Sequence, residues 1–145
     1  MTPAGNGPLA DIRVVDVGTR ISAPFCAGLL GELGADVIKV ELPGEGDFMR
    51  TMGPFVPVAG EPDYSLPWSV EGRGRRGVTC DLRRPEGQDL FKRLVAEADV
   101  LCENFRPGTM EAWHVGPDGR LHQRPGVLQR APLQRQEGRA AGVPE

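Results

Sequence analysis

The segment at residues 14–41 constrains the fold of this chain more than any other part of the sequence. A β-rich apolar run at residues 12–17 is followed by an apolar helical stretch that ends at Gly34, and then by a second apolar run at residues 37–40. Strand, helix and strand within so few residues require a right-handed crossover between parallel strands. The sequence therefore predicts a parallel sheet of the α/β kind.

The helix inside this segment has recognisable start and stop signals. We expect Ser22 to be its N-cap, because its hydroxyl is a good acceptor, with Pro24 tolerated in the first turn. Apolar side chains then recur at i, i+3, i+4 and i+7, which indicates one buried face. These residues are Cys26, Leu29, Leu30 and Leu33. The pattern predicts an amphipathic helix that ends at Gly34.

The same alternation returns after an irregular stretch, residues 42–76, that is rich in Gly, Pro and acidic residues. That stretch is too long for a plain connector, so we expect it to be functional or ordered by a partner surface. We then predict a strand at residues 77–82, a helix from Pro85, a strand at residues 99–103 and a helix from Thr109. The repetition favours part of a Rossmann-like, doubly wound parallel sheet.

The two ends of the chain differ in composition from this alternating region. Residues 1–10 are rich in Gly, Pro and Asn and predict a flexible leader. Residues 118–145 are rich in Arg, Gln, Pro, Gly and Ala and lack a sustained period. We therefore predict one α/β domain over residues 11–117, followed by a tail without packed structure.

Composition excludes several classes of partner. The formal net charge is −3 with acids and bases intermixed, so we expect neither nucleic acid nor an anionic membrane surface as partner. The sequence contains neither an apolar run long enough to cross a bilayer nor a signal peptide, which predicts a cytoplasmic protein. Three cysteines, Cys26, Cys80 and Cys102, stand singly. Their spacing predicts buried thiols in a reducing compartment and no metal site.

The turn at residues 18–23 follows the first predicted strand and precedes a helix N-terminus. Free N–H groups and the helix dipole favour a phosphate or carboxylate at such a place, although any βαβ unit has a turn of this kind. The GxGxxG spacing is absent, since only Gly18 is available. A dinucleotide site is therefore disfavoured, even though Glu41 lies where a ribose-binding acid would stand.

Seven arginines lie at predicted strand ends or in loops, where a forked guanidinium can meet phosphate oxygens. Exposed arginines are more often solvated surface charges, so each one alone is weak support for a ligand. The seven are Arg20, Arg50, Arg73, Arg75, Arg76, Arg83 and Arg106.

Few residues are candidates for acid–base or nucleophilic chemistry. His114 follows Trp113 in a helical stretch, His122 lies in the tail, and neither has a catalytic partner in sequence. We expect Asp16 and Asp81, at strand ends, to cap backbone N–H groups. The sequence therefore assigns no catalytic residue.

Three short motifs in combination resemble the family III coenzyme A transferases, also known as the CaiB/BaiF family. They are GELGADVIKVE at residues 31–41, RRPEG at residues 83–87 and ENFRPG at residues 103–108. The resemblance covers residue 11 to about residue 117 and implies part of the large Rossmann-like domain of a family whose members form interlocked homodimers. We do not expect this chain to form such a dimer alone. The resemblance also implies transfer of coenzyme A between an acyl-CoA and a carboxylic acid; acyl-CoA racemases share the same fold.

The resemblance further implies which residues contact coenzyme A. They come from the turn after the first strand, the ends of the second and third strands, and the Asn-Phe motif. They are Ile21, Ser22, Leu42, Cys80, Asp81, Leu82, Arg83, Asn104, Phe105 and Arg106. Leu42 and Ala112 stand where some members have an arginine that reaches the coenzyme, so we expect some phosphate contacts to be missing.

In this family an aspartate attacks the acyl-CoA thioester, giving an acyl anhydride and then an aspartyl-CoA thioester. The resemblance implies that this aspartate lies beyond residue 145, and residues 119–145 contain no Asp. We therefore expect a truncated transferase that binds acyl-CoA or coenzyme A without a catalytic residue of its own. The alternatives are a non-catalytic remnant or CoA-binding module and, within the family, an acyl-CoA racemase.

Overall fold

The computed structural model describes residues 7–116, which form a parallel sheet between helices. In chain order the elements are β1 (Arg13–Asp16), α1 (Ser22–Glu32), β2 (Asp36–Glu41), a 3₁₀ helix (Phe48–Thr51), β3 (Phe55–Val56), β4 (Tyr64–Ser65), α2 (Leu66–Glu71), β5 (Arg76–Thr79), α3 (Pro85–Ala96), β6 (Val100–Cys102) and α4 (Thr109–Ala112). The four-stranded sheet has the order β5-β2-β1-β6, and all three pairings are parallel. The predicted α/β class is confirmed.

Alternate side chains of the central strands face two different helical layers. Val14 and Val37 belong to the same hydrophobic cluster as Ala27 of α1. Val15 belongs to the cluster on the opposite face of the sheet, together with Phe91 of α3. Strand residues alternate between the faces of a sheet, so neighbouring positions serve opposite layers. The sheet is therefore covered on both faces, as a doubly wound fold requires.

Helix α1 contacts the sheet through a different face from the predicted one. Its buried residues are the small ones: Ala23, Pro24, Ala27 and Gly28. Leu29 and Leu33 are 43% and 49% exposed, Cys26 is exposed, and Leu30 is only partly buried. The helix is apolar on most sides, so the spacing of its larger residues did not identify the face that approaches the sheet.

The start of α1 also differs from the prediction. Ile21 occupies the N-cap position without a side-chain hydrogen bond, and the helix begins at Ser22. The Ser22 hydroxyl instead accepts a hydrogen bond of 3.0 Å from Asn104 Nδ2. The predicted N-cap is thus wrong, because the hydroxyl serves a contact from a distant strand end.

The stretch at residues 42–76, predicted to be irregular, contains several short elements. These are the 3₁₀ helix, the antiparallel pair β3–β4 and helix α2. The buried Ser65 side chain accepts from Trp68 N at the start of α2 and donates to Met49 O, with distances of 3.2 and 2.8 Å. Elements of two to six residues are too short for a periodic signal, which is why the sequence did not predict them.

The ends of the predicted domain are only partly described. Residues 7–10 form a turn, and Leu9 N donates to Leu33 O at 3.0 Å, so the predicted flexible leader is anchored from residue 7 onward. Residues 1–6, the predicted tail at residues 118–145 and His122 lie outside the described residues. Within residues 7–116, each helix is too short or too polar to cross a membrane.

Candidate functional site

A cleft of about 390 Å³ opens where β1, β2 and β5 end. Ligands of open α/β sheets bind in this position, outside the carboxyl ends of the strands. Residues 17–19 and 40–42 supply the ends of the first two strands, and residues 80–83 follow β5. Part of the stretch at residues 45–51 completes the lining together with Phe105 and Trp113. Parallel topology has therefore gathered segments that are far apart in sequence.

Six of the ten residues that the resemblance implied line this cleft. They are Leu42, Cys80, Asp81, Leu82, Arg83 and Phe105. Ile21, Ser22, Asn104 and Arg106 do not line it. The sequence missed Phe48, which lies in the stretch without a periodic pattern; Val17 and Val40 could have been found from the rule that parallel strand ends meet.

Asn104 acts as a structural clamp beside the cleft. Its Oδ1 accepts from Thr19 N at 2.9 Å, and its Nδ2 donates to Thr19 O at 2.8 Å. The Gly18 N–H is also occupied, because it donates to Asp16 Oδ1 at 3.0 Å. The turn after β1 therefore offers fewer free N–H groups to an anion than the sequence suggested, and Asp16 caps a backbone N–H as predicted.

One part of the cleft wall is apolar and aromatic. The rings of Phe105 and Trp113 meet edge to face, with centroids 5.2 Å apart and planes at 77°. Both rings pack against the core cluster that contains Val17, Val40 and Leu82. Such a wall suits a flat ring or an aliphatic chain of a ligand.

Two carboxylates of the cleft are already paired with arginines. Asp81 accepts from Arg83 Nε at 2.8 Å and from Arg83 N at 3.0 Å, and these bonds lower the pKa of Asp81 to about 2. Burial alone would raise the pKa of Glu41, but hydrogen bonds from Arg50 at 2.7 and 2.8 Å and from Asp47 N hold it below its usual value. Glu41 is thus engaged within the protein, which agrees with the missing dinucleotide fingerprint.

A buried cluster of four charges lies directly under the cleft. Lys39 Nζ is 3.0 Å from Asp47 Oδ2 and 3.4 Å from Asp16 Oδ2, and Arg75 Nη1 is 2.5 Å from the same Asp16 oxygen. Burial raises the pKa of Asp16, although Lys39 and Arg75 act in the opposite direction. Lys39 was not among the predicted site residues, although a lysine flanked by the apolar residues of a central strand could have indicated it.

The seven arginines have different surroundings, and only Arg83 lines the cleft. Arg50 lies over the Trp68 ring at 3.9 Å and Arg20 over the Phe48 ring at 4.0 Å. Arg73, Arg75 and Arg76 form ion pairs with Glu32, Asp16 and Asp36. Arg106 is exposed. Arg83 is therefore the cation best placed for a phosphate, since its side chain is 57% exposed and can turn from Asp81.

The cysteines and His114 complete the list of reactive groups. Cys80 is buried, its Sγ lies 3.0 Å from Gly87 O, and burial raises the pKa of its thiol. Cys102 is also buried, but Cys26 is exposed, so the prediction of three buried thiols is wrong for Cys26. His114 is exposed, with a φ of 56°, just after α4. Residues 7–116 contain no group of three or more potential metal ligands.

Comparison with known proteins identifies close relatives of this chain. The succinyl-CoA–L-malate CoA-transferase beta subunit of Chloroflexus aurantiacus is 56% identical over 112 residues, which cover 77% of this chain and 26% of that protein. Succinyl-CoA–D-citramalate CoA-transferase of the same organism is 46% identical, over 83% of this chain and 29% of its own length. The chain thus spans between a quarter and a third of these relatives.

A solved structure agrees with the sequence relatives. A CaiB/BaiF family protein from Brucella suis superposes with a TM-score of 0.73 at 42% identity, over 79% of this chain and 30% of that chain. The model of CoA-transferase family III matches residues 9–130, which extends past the domain end predicted at residue 117. Because this match spans most of the sequence, the chain belongs to CoA-transferase family III.

Proposed function

We propose that this chain supplies the coenzyme A-binding part of an enzyme that transfers coenzyme A between an acyl-CoA and a carboxylic acid. The observation that carries the proposal is the cleft at the carboxyl ends of the strands, with an apolar wall and the exposed Arg83. Coenzyme A combines an aromatic base, an aliphatic arm and phosphates, and such a ligand needs both features. Membership of the family supports the same ligand.

The proposal extends to substrate class, assembly and location. Relatives named for succinyl-CoA with malate or citramalate support a dicarboxylic acyl donor and a hydroxy acid acceptor. Relatives named as alpha and beta subunits support assembly of more than one chain. The three free cysteines support a reducing, cytoplasmic setting.

A calorimetric titration of the chain with coenzyme A tests the binding proposal. Arg83→Gln removes the cleft cation, and we expect its loss to weaken binding about 10- to 100-fold, the effect of one charged hydrogen bond. Arg84→Gln is the matched control, because Arg84 is the next residue but does not line the cleft. No binding by the unaltered chain, or equal losses in the two variants, would refute the proposed site.

A second candidate function is a coenzyme A-binding module without transfer activity. The observation that favours it is that three of the four carboxylates that line the cleft are each paired with a cation, which makes them poor nucleophiles. These three are Glu41, Asp47 and Asp81, and the fourth is Glu45. An assay with succinyl-CoA and L-malate separates the candidates when this chain is mixed with a separate polypeptide that supplies the remainder of the family fold. Binding without formation of a new thioester would support the module, and turnover would support the transferase.

The acyl-CoA racemase alternative within the family needs a different assay. A racemase must remove and return the proton next to the thioester carbonyl, whereas a transferase leaves that carbon unchanged. Incubation with a 2-methylacyl-CoA in deuterium oxide would reveal exchange at this position by mass spectrometry. Exchange without a carboxylic acid acceptor would favour the racemase and contradict the transferase.

A further inference from the structure

We propose that Lys39 is a positioning residue, which fixes two loops of the cleft wall in the arrangement that binds the ligand. The inference rests on the proposed function, because its main readout is the affinity for coenzyme A. Lys39 does not line the cleft and is only 1% exposed, so it acts through other residues. The loops are represented by Gly18 after β1 and Asp47 after β2, both of which line the cleft.

The Lys39 ammonium has three protons and three acceptors around it. It donates to Gly18 O, lies 3.0 Å from Asp47 Oδ2 and lies 3.4 Å from Asp16 Oδ2. A buried ammonium is costly unless such partners surround it, and replacing a whole buried ion cluster by apolar residues of similar volume is often neutral or stabilising. The contribution of Lys39 is therefore to hold its three acceptor groups in fixed positions relative to one another.

On one side this arrangement fixes the Gly18 peptide groups. The Gly18 carbonyl accepts from Lys39, and the Gly18 N–H donates to Asp16 Oδ1 at 3.0 Å. Asp16 is itself fixed by Arg75, whose Nη1 lies 2.5 Å from Asp16 Oδ2. The cluster thereby sets the path of the backbone where the first strand enters the cleft.

On the other side the arrangement fixes the 3₁₀ helix. Asp47 uses one carboxylate oxygen for Lys39 and the other for Met49 N, which donates to Oδ1 at 2.9 Å. The Asp47 side chain thus caps the helix that presents Phe48 and Thr51 to the cleft. A change at Lys39 should move these two residues without removing any atom that touches the ligand.

The decisive variant is Lys39→Met, because Lys39 does not line the cleft. Asp47→Asn is the second variant; it keeps an oxygen for Met49 N but removes the charge that faces Lys39. Both variants are titrated with coenzyme A at a temperature where circular dichroism shows a fully folded chain. We expect each to weaken binding at least about tenfold, the effect of roughly 1.4 kcal/mol. The control is Asp36→Asn, at the other end of β2, for which we expect a change below about twofold.

A purely structural role would lower stability and leave the affinity of the folded chain unchanged. Equal affinities of the unaltered chain and the two folded variants would therefore overturn the inference. Amide hydrogen exchange gives a readout without ligand: Lys39→Met should accelerate exchange at Gly18 and Met49 more than Asp36→Asn does. If the unaltered chain does not bind coenzyme A, faster exchange in Lys39→Met keeps the loop-fixing role while the proposed function fails, and unchanged exchange overturns both.

Discussion

The two ends of strand β2 carry ion pairs of the same chemistry in opposite surroundings. At the amino end, Asp36 meets Arg13 at 3.2 Å and Arg76 at 2.5 Å, and its side chain is 25% exposed. Toward the carboxyl end, Lys39 meets Asp16 and Asp47, and all three side chains are almost completely buried. An exposed charge can leave its partner and bind water instead. A buried charge has no water to bind, so it stays with its partner in one geometry.

The consequences for stability and function follow from this contrast. An exposed pair contributes at most about 1 kcal/mol, since water and salt screen it. Removing one member of a buried pair costs about 3–5 kcal/mol, since its partner stays behind without a counter-charge. The cleft therefore lies at the end of the sheet where removing a charged side chain should lower the free energy of unfolding the most.

The largest expected effect comes from Lys39→Met. The variant leaves Asp47 without its ammonium partner, so we expect the free energy of unfolding to fall by about 3–5 kcal/mol. Urea denaturation near pH 7 measures this loss. Arg13→Met is the matched control at the amino end, for which we expect at most about 1 kcal/mol. Similar losses in the two variants would remove the contrast between the ends.

The second effect comes from Gly28→Ala in α1. A Cβ at Gly28 would lie 2.8 Å from Arg75 Nη2, so the guanidinium would have to leave Asp16 and Pro24 O. We expect a loss of about 1–3 kcal/mol in the free energy of unfolding, as for other overpacked sites.

A double-mutant cycle isolates the cause of that loss. In an Arg75→Ala background the clash is absent, and Gly28→Ala should stabilise α1 by about 0.5–1 kcal/mol through helix propensity. A loss of the same size in both backgrounds would show that the cluster does not require a glycine at this position.

This glycine also shows why the sequence predicted α3 better than α1. In α3 charged residues separate the apolar ones, so their spacing indicates one inner side, and Phe91 and Val95 on that side are buried. In α1 large apolar residues lie on several sides, and the face against the sheet is chosen by the room that Arg75 and the strands need. A periodic pattern in the sequence reports the size of each side chain. It does not report how much space a residue from a distant part of the chain needs against that helix.

The residues of the candidate site also fall into those that the sequence could predict and those that it could not. Val17 could be predicted from parallel topology, and Leu82 and Phe105 could be predicted from the family resemblance. The loop fixed by Asp47 could not, because it depends on a bond to Lys39 that no local pattern encodes. Local sequence predicts elements, whereas long-range polar contacts require the assembled fold.

We expect Glu41→Gln to lower the free energy of unfolding by a smaller amount that depends on pH. The reason is that the hydrogen bonds that lower the pKa of Glu41 require its ionised carboxylate. Since the folded pKa lies below the ordinary value of 4.5, the stabilisation is complete above about pH 4.5 and is lost as the pH falls through the folded pKa. The free energy of unfolding of the unaltered chain should exceed that of the variant by about 1–2 kcal/mol near pH 7, and this difference should shrink as the pH falls below about 4.5. A difference that stays constant with pH would contradict this linkage; the raised pKa of Asp16 is common to both proteins and cancels.

The smallest effect, and the sharpest test of the contrast, is expected for Asp36→Asn. Burial alone would raise the pKa of Asp36, but hydrogen bonds from Arg76 and Arg13 lower it. The stabilisation by the carboxylate is therefore complete above its ordinary pKa of 3.8 and is lost as the pH falls through the lowered pKa. Because the site is exposed, the loss near pH 7 should be at most about 1 kcal/mol and should shrink further in about 0.5 M salt. The loss caused by Lys39→Met should not respond to the same salt, because its charges are shielded from solvent ions. Salt could instead reduce the losses caused by Asp36→Asn and by Lys39→Met by the same fraction. Burial would then not distinguish the two ends of β2, and the argument that the buried cluster fixes the cleft would lose its physical basis.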